Sequence, residues 1–414
     1  MEDSSFEYPS DILYTQEPLS GYKFGGYHPV RIGDTFKDNR YTIHHKLTWG
    51  GFSTVWLAHD NLRHRWVSLK IKTADTSYSS QELLNLQQLE KIAAPDDLSS
   101  KYILHLLDAF IQPGPNGIHQ CLVFELIGPT IDRIITDYRE LSDSLDPQTI
   151  LRLSRQLLKA IELVHNAGVG QIDISGRNIV FSGRNLSYAS EKIIFAVFGS
   201  PEHEPVTHLD GTPLHKGFPA ALFGPVSWED WLEEFAEELR IFDLGEGFAQ
   251  EEKSRILAQP GPSRAPELIF TGRSDHRTDL WHTGCMLFFF VFGTYPFDSD
   301  VEDMVVVEQM IDLLGELPQE WQPTWDRMRA EAGDMMDFQG KILQPLLNNA
   351  PLHQHADLQI IGDEVFTLED RFDKEVAEPE LAPLIPIIRA MLEFRPSERI
   401  TAPQALGLLG SQGQ

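Results

Sequence analysis

From Tyr41 onward, short apolar and β-branched runs broken by polar residues predict three strands, Tyr41–Leu47, Thr54–His59 and Trp66–Ile71. Gly50 and Gly51 separate the first two, a hairpin signal. Ser79–Ile92 predicts a helix, with Leu83, Leu86, Leu89 and Ile92 at helical spacing. Ile103–Ile111 and Gln120–Ile127 predict two further strands. Beyond Gly128-Pro129 the pattern turns helical, most clearly over Pro147–Val164. Residues 1–35, rich in Gly, Pro, Tyr and Ser, predict an irregular N-terminal extension. Residues 183–238 are predicted to be an insertion, in which SWEDWLEEFAEEL, from Ser227, predicts an acidic helix. Strands with one helix, followed by a mostly helical half, predict an α+β chain. Its domain would span 36–410, with a small β-rich lobe over about 36–127 and a larger helical lobe over about 128–410.

Chemistry lies in the order of several short motifs, each weak alone. LTWGGFSTVWLAHD places Gly50 and Gly51 in a turn where backbone N–H groups can approach a phosphate, with Val55 on the strand after it. VSLK ends at Lys70 on a predicted strand, and Glu82 follows on the predicted helix. GQIDISGRNIVF sets Asp173 and Asn178 five residues apart between a helix and an apolar strand. In LRIFDLGEGF, Asp243 closes another apolar strand before Leu244-Gly245. Ala265-Pro266-Glu267 comes 24 residues after Asp243, and Asp279 and Arg399 follow.

In that order the motifs match the protein-kinase signature set. The match implies a bilobal protein-kinase-like fold that uses ATP and Mg²⁺. Lys70 would hold the α- and β-phosphates and pair with Glu82. Asp173 would take the substrate hydroxyl's proton, and Asn178 and Asp243 would ligate metal. Glu267 and Arg399 would form a buried structural ion pair. Four positions depart from the pattern. Thr48 stands where a kinase has its first loop glycine, and Gln171-Ile172 stand for His-Arg before the catalytic aspartate. Ser175 stands where a lysine would face the transferred phosphate, and Arg177 is expected to supply that charge. With no arginine beside Asp173 to capture a phosphate, activity is expected without activation-loop phosphorylation.

GGYHPVRIGDTF, GGFSTVWLAHD, CLVFELIGPTI and LDGTPL further resemble the serine/arginine-protein kinases in their fungal branch, over roughly residues 22–410. That resemblance implies phosphorylation of Ser in Arg/Ser-rich proteins such as splicing factors. It makes Phe124 the gatekeeper and sets the backbone of Glu125 and Ile127 against the adenine edge.

Net charge sharpens the choice of partner. At −28 the chain is unsuited to nonspecific nucleic-acid binding, which relies on Lys and Arg, and suited to a basic protein substrate. No apolar run approaches the roughly 20 residues of a membrane span. Two cysteines and a polar, acidic start lead to the expectation of a reducing, cytoplasmic or nuclear setting, and of a monomer. Besides an active protein kinase, a nucleotide-binding scaffold with little turnover and a small-molecule phosphotransferase stay open.

Overall fold

The computed structural model describes residues 16–77, 81–92, 101–170, 172–208, 210, 212–228, 231, 235–249, 263–297, 301–332 and 367–411. The chain divides into two compact units, one formed by residues 1–145 with 155–249 and the other by 146–154 with 250–414.

The first unit is built on an antiparallel sheet of β1 (Thr35–Phe36), β2 (Tyr41–Gly50), β3 (Ser53–Asp60), β4 (Arg65–Lys72), β5 (Leu106–Gly114) and β6 (Gly117–Glu125), in the order β1-β2-β3-β4-β6-β5. Period-two alternation gives the sheet two different faces. Val67, Leu69 and Ile71 join Tyr41, Ile43, Trp56 and Val123 in one apolar cluster. Val30 of the N-terminal extension and Phe223 of the insertion close that cluster, so both segments belong to the unit's core. Ser68 and Lys70 point the opposite way, with Phe124 paired to Ser68 and Val55 to Lys70. That second face carries Lys70 and Phe124, both singled out in the sequence.

Helix α1 (Gln81–Ile92) sits where its periodicity predicts, but its inward face is rotated. Leu86 and Leu89 are buried together with Glu82 and Asn85, while Ile92 is exposed. The two polar residues are drawn inward by partners described below. Further along come β7 (Ile127–Thr130), α2 (Ile131–Glu140), α3 (Pro147–Asn166), β8 (Val169–Gly170) and β9 (Ile179–Ser182). The insertion forms α4 (Glu191–Phe198) and a short hairpin of β10 (His203–Pro205) and β11 (Ala221–Phe223). β12 (Leu239–Ile241) pairs with β9, which pairs with β7, and β13 (Phe248–Ala249) pairs with β8.

The helix expected from Ser227 is not found at the described residues there. Trp228 has a left-handed backbone (φ 60°), and Phe235–Glu237 form a turn and bend. Side-chain burial overrides the acidic helical pattern. Trp228 packs edge-on against Phe198 at 4.6 Å, Trp231 against Phe181 at 5.0 Å, and Glu237 accepts hydrogen bonds from Ser182 and the Asn185 N–H.

The second unit is helical: α5 (Pro266–Thr271), α6 (Thr278–Phe292), α7 (Asp303–Leu314), α8 (Gln322–Ala332), α9 (Leu368–Glu375), α10 (Ile385–Met391) and α11 (Ala402–Ser411). α6 is apolar on nearly every side and is correspondingly buried over almost its whole length. Glu267 and Arg399 meet at 2.6 Å inside this unit. Among the described residues no helix is long and apolar enough to cross a membrane.

Candidate active site

Every sequence-predicted site residue belongs to the first unit. Gly50 ends β2, paired with Ser53, and Gly51-Phe52 form the turn to β3. A Cβ at either would meet no atom within 4 Å, and neither has a positive φ. Packing within the protein therefore does not require glycine there.

Lys70, on that second face of β4, donates to both carboxylate oxygens of Glu82 at 2.8 and 3.0 Å and meets Asp243 at 3.0 Å. Its ammonium also lies 4.9 Å from the Phe242 ring centre. Burial works against the charge on Lys70, but the two carboxylates outweigh it and raise its pKa. Burial likewise opposes ionisation of Asp243, and the Lys70 ammonium holds its pKa below the usual carboxylate range. Glu82 and Lys70 are sealed, with side chains 1% and 3% exposed, whereas Asp243 remains 40% exposed. The network is thus closed on one side and open at Asp243.

Local backbone geometry aims that open carboxylate. Asp243 adopts φ 60°, ψ 72°, a left-handed conformation uncommon outside glycine but tolerated by Asp, and its side chain accepts from the Gly245 N–H at 3.3 Å. Asn85 fixes the same turn from α1, its Nδ2 donating to the carbonyls of Leu244 and Gly247, each at 2.8 Å. Sequence reading missed Asn85. The available signal was a polar residue three positions after Glu82 on the same helix face.

The loop before β9 is tied to this network by backbone. The Phe242 N–H donates to the Asn178 carbonyl at 2.8 Å, and Ile179 pairs with Ile241. Asn178 Nδ2 donates to Asp173 Oδ2 at 2.7 Å and to the Asp173 carbonyl at 3.2 Å. This commits the amide's donor end to Asp173 and leaves its oxygen as the acceptor that a hard cation takes. Ile172 is buried where an arginine was absent from the motif, and Gln171 lies outside the described residues. Arg177 is exposed, with no ion-pair partner among the described residues.

Phe124 is buried on β6, edge-on to Phe242 at 6.0 Å. The Glu125 carboxylate accepts from Arg240 at 2.9 Å and from the His105 N–H at 3.1 Å. The Ile127 N–H already donates to the buried Ser68 hydroxyl at 3.1 Å. Sequence reading passed over Ser68, though VSLK puts a hydroxyl where the kinase signature V-A-I-K has alanine.

No family model matches the chain. It is 27% identical to the serine/threonine-protein kinase SRPK of Physarum polycephalum, covering 94% of this chain and 90% of that protein. It is 36% identical over 168 residues to protein kinase dsk1 of Schizosaccharomyces pombe. The chain is thus similar to protein kinases of the SRPK and SRSF-kinase type. The matched segment is 40% of this chain but only 30% of dsk1. A solved kinase domain, 17% identical, superposes with a TM-score of 0.58 over 92% of this chain and 97% of that one. The α+β fold of the chain is therefore a protein-kinase fold.

Proposed function

We propose that the chain is an ATP- and Mg²⁺-dependent protein serine/threonine kinase acting on serines in Arg/Ser-rich proteins. The observation that carries this reading is the cluster of Lys70, Glu82 and Asp243 within 3.0 Å, joined by one peptide hydrogen bond to the loop of Asp173 and Asn178. Each polar residue then has a distinct task. Glu82 holds the Lys70 ammonium in place, and Lys70 binds the α- and β-phosphates. The Gly50–Gly51 backbone covers the phosphates, Val55 and Phe124 enclose the base, and the main chain of Glu125 and Ile127 lies at its edge, with the Ile127 N–H held by the Ser68 hydroxyl.

The donor set fits Mg²⁺, which takes one or two carboxylate-type oxygens together with substrate phosphates. Asp243 and Asn178 would hold it, and the ion would neutralise charge between phosphate oxygens. In the transfer step the serine oxygen attacks the γ-phosphorus and its proton passes to Asp173. ADP leaves with the electron pair of the broken P–O bond. Arg177 supplies the cation that Ser175 does not. Arg177→Ala is expected to lower turnover by roughly ten- to a hundredfold, and unchanged turnover would take Arg177 out of the site.

A net charge of −28 favours encounter with an arginine-rich substrate and disfavours direct nucleic-acid binding. We place the enzyme in the cytoplasm, the nucleus or both, acting as a monomer away from membranes. The test supplies ATP and Mg²⁺ with an Arg-Ser repeat peptide and its Lys-Ser and Glu-Ser counterparts. Phosphate is expected on serine, fastest with Arg-Ser, and at a rate that falls with added salt. Equal rates on all three remove the substrate class. Transfer to none of them removes the activity.

A further inference from the structure

We infer that the segment before the sheet is a brace for the glycine-rich turn, and that Tyr27 is the positioning residue through which it acts. The inference rests on reading that turn as the phosphate-covering element. A hairpin tip that includes two adjacent glycines, the last residue of β2 and the first of the turn, loses much conformational freedom on ordering, so holding it ready for a ligand requires fastening from outside. Among the described residues, fastenings beyond the hairpin's own ladder include the following two. The Thr73 N–H donates to the Phe52 carbonyl at 2.9 Å, and the Tyr27 hydroxyl donates to the Gly50 carbonyl at 2.9 Å.

The stretch from Gly21 to Gly26 seats that phenol. Tyr27 is buried, its N–H donates to the Gly21 carbonyl at 2.9 Å, and its own carbonyl accepts from Asn116 Nδ2 at 2.7 Å. A Cβ on Gly21 would collide with the Tyr27 ring, and one on Gly26 with the Gly21 carbonyl. Gly25 has φ 88°, and a side chain there would strike the Asp75 carboxylate. The N–H groups of Ala74 and Asp75 donate to the carbonyls of Gly26 and Gly25 at 3.1 and 2.8 Å. Ala74 follows Thr73, so the segment grips the element that holds Phe52 as well as holding Gly50 itself. Three glycines of an apparently irregular stretch thus serve to place one hydroxyl.

The insertion backs the same seat. Asn116 Nδ2 also donates to the Gly217 carbonyl at 2.7 Å, and Val206 and Leu222 pack in one cluster with Leu19, Tyr22 and Tyr27. On the strand leading into the turn, Glu17 and Gln16 pair with the buried Lys46 ammonium, while the Val226 N–H donates to the Lys46 carbonyl at 3.1 Å. The extension therefore meets β2 at both Lys46 and Gly50, and the insertion meets it at Lys46.

Tyr27→Phe removes the hydroxyl and keeps the ring in its seat. It is expected to raise the Kd and KM for ATP·Mg²⁺ roughly three- to tenfold, with kcat and the peptide KM unchanged. Amide exchange over residues 49–53 should quicken while the rest of the sheet holds its protection. A loss of thermal stability without these two changes would mean a purely structural residue and overturn the brace. Unchanged ATP affinity and unchanged exchange would overturn it as well. Should the full-length Tyr27→Phe chain prove unstable, Asn116→Ala loosens the seat from behind and must shift ATP affinity in the same direction. Wild-type chain that binds no ATP would defeat the kinase reading itself. Wild-type binding matched by Tyr27→Phe defeats only the brace.

Discussion

The two units each contain a buried ion pair, and the pairs are built for opposite purposes. Arg399 in the second unit is saturated. Its guanidinium bonds both oxygens of Glu267 and the carbonyls of Arg277, Glu393 and Phe394, while Thr278 donates to Glu267. Nothing is left over for a ligand. Lys70 in the first unit is shared between a sealed carboxylate, Glu82, and an exposed one, Asp243, which sits on an uncommon backbone conformation. The first arrangement holds a fold together. The second keeps a cation charged and oriented while leaving one carboxylate open to exchange partners.

Breaking each pair should separate the two purposes. Arg399→Met leaves Glu267 buried without its partner and is expected to cost about 3–5 kcal/mol, read from urea denaturation. Lys70→Met should lower phosphate transfer at least a hundredfold, roughly 3 kcal/mol, yet destabilise the nucleotide-free protein less than Arg399→Met. The reason is that burial already pushes the Glu82 carboxyl upward, so Glu82 can take a proton when its partner is lost. Equal destabilisation by the two substitutions would erase the distinction drawn here.

A third buried site, made of neutral rings, sharpens the contrast through pH. His28 lies 4.8 Å from His119, and burial, then His119, lowers its pKa to about 4. Folding therefore favours neutral His28. Its contribution is complete above the unfolded value of about 6.5, is lost as pH falls toward 4, and changes no further below that. The loss is on the order of 3 kcal/mol, and His28→Gln should flatten that part of the stability curve between pH 7 and 5. An identical curve for the variant would remove His28 as its source. The smallest expected effect is at Ser68. Ser68→Ala frees the Ile127 N–H for the nucleotide, so ATP should bind a few-fold more tightly even as the nucleotide-free midpoint falls. Weaker ATP binding would mean that the hydroxyl helps the ligand.

Much of this was legible because the informative residues are local. Alternation from Tyr41 to Ile71 located β2 to β4, and Lys70, Glu82, Asp173, Asn178 and Asp243 stand at motif spacings that strand and loop geometry impose. What escaped was set by contacts distant in sequence. Asn85 turns inward because carbonyls at 244 and 247 await it, and Trp228 abandons a helical pattern for the ring of Phe198. The extension's glycines look like disorder until Tyr27 is placed among them. No window of local sequence contains those partners.

The most direct test of the account is single-turnover phosphate transfer to an Arg-Ser peptide by wild-type chain and Asp173→Asn, with ATP·Mg²⁺-induced thermal stabilisation measured on both. The account predicts phosphoserine with the wild type, transfer reduced at least a hundredfold in the variant, and thermal stabilisation by nucleotide in both. Equal transfer by the two proteins, or stabilisation without transfer by either, would contradict it.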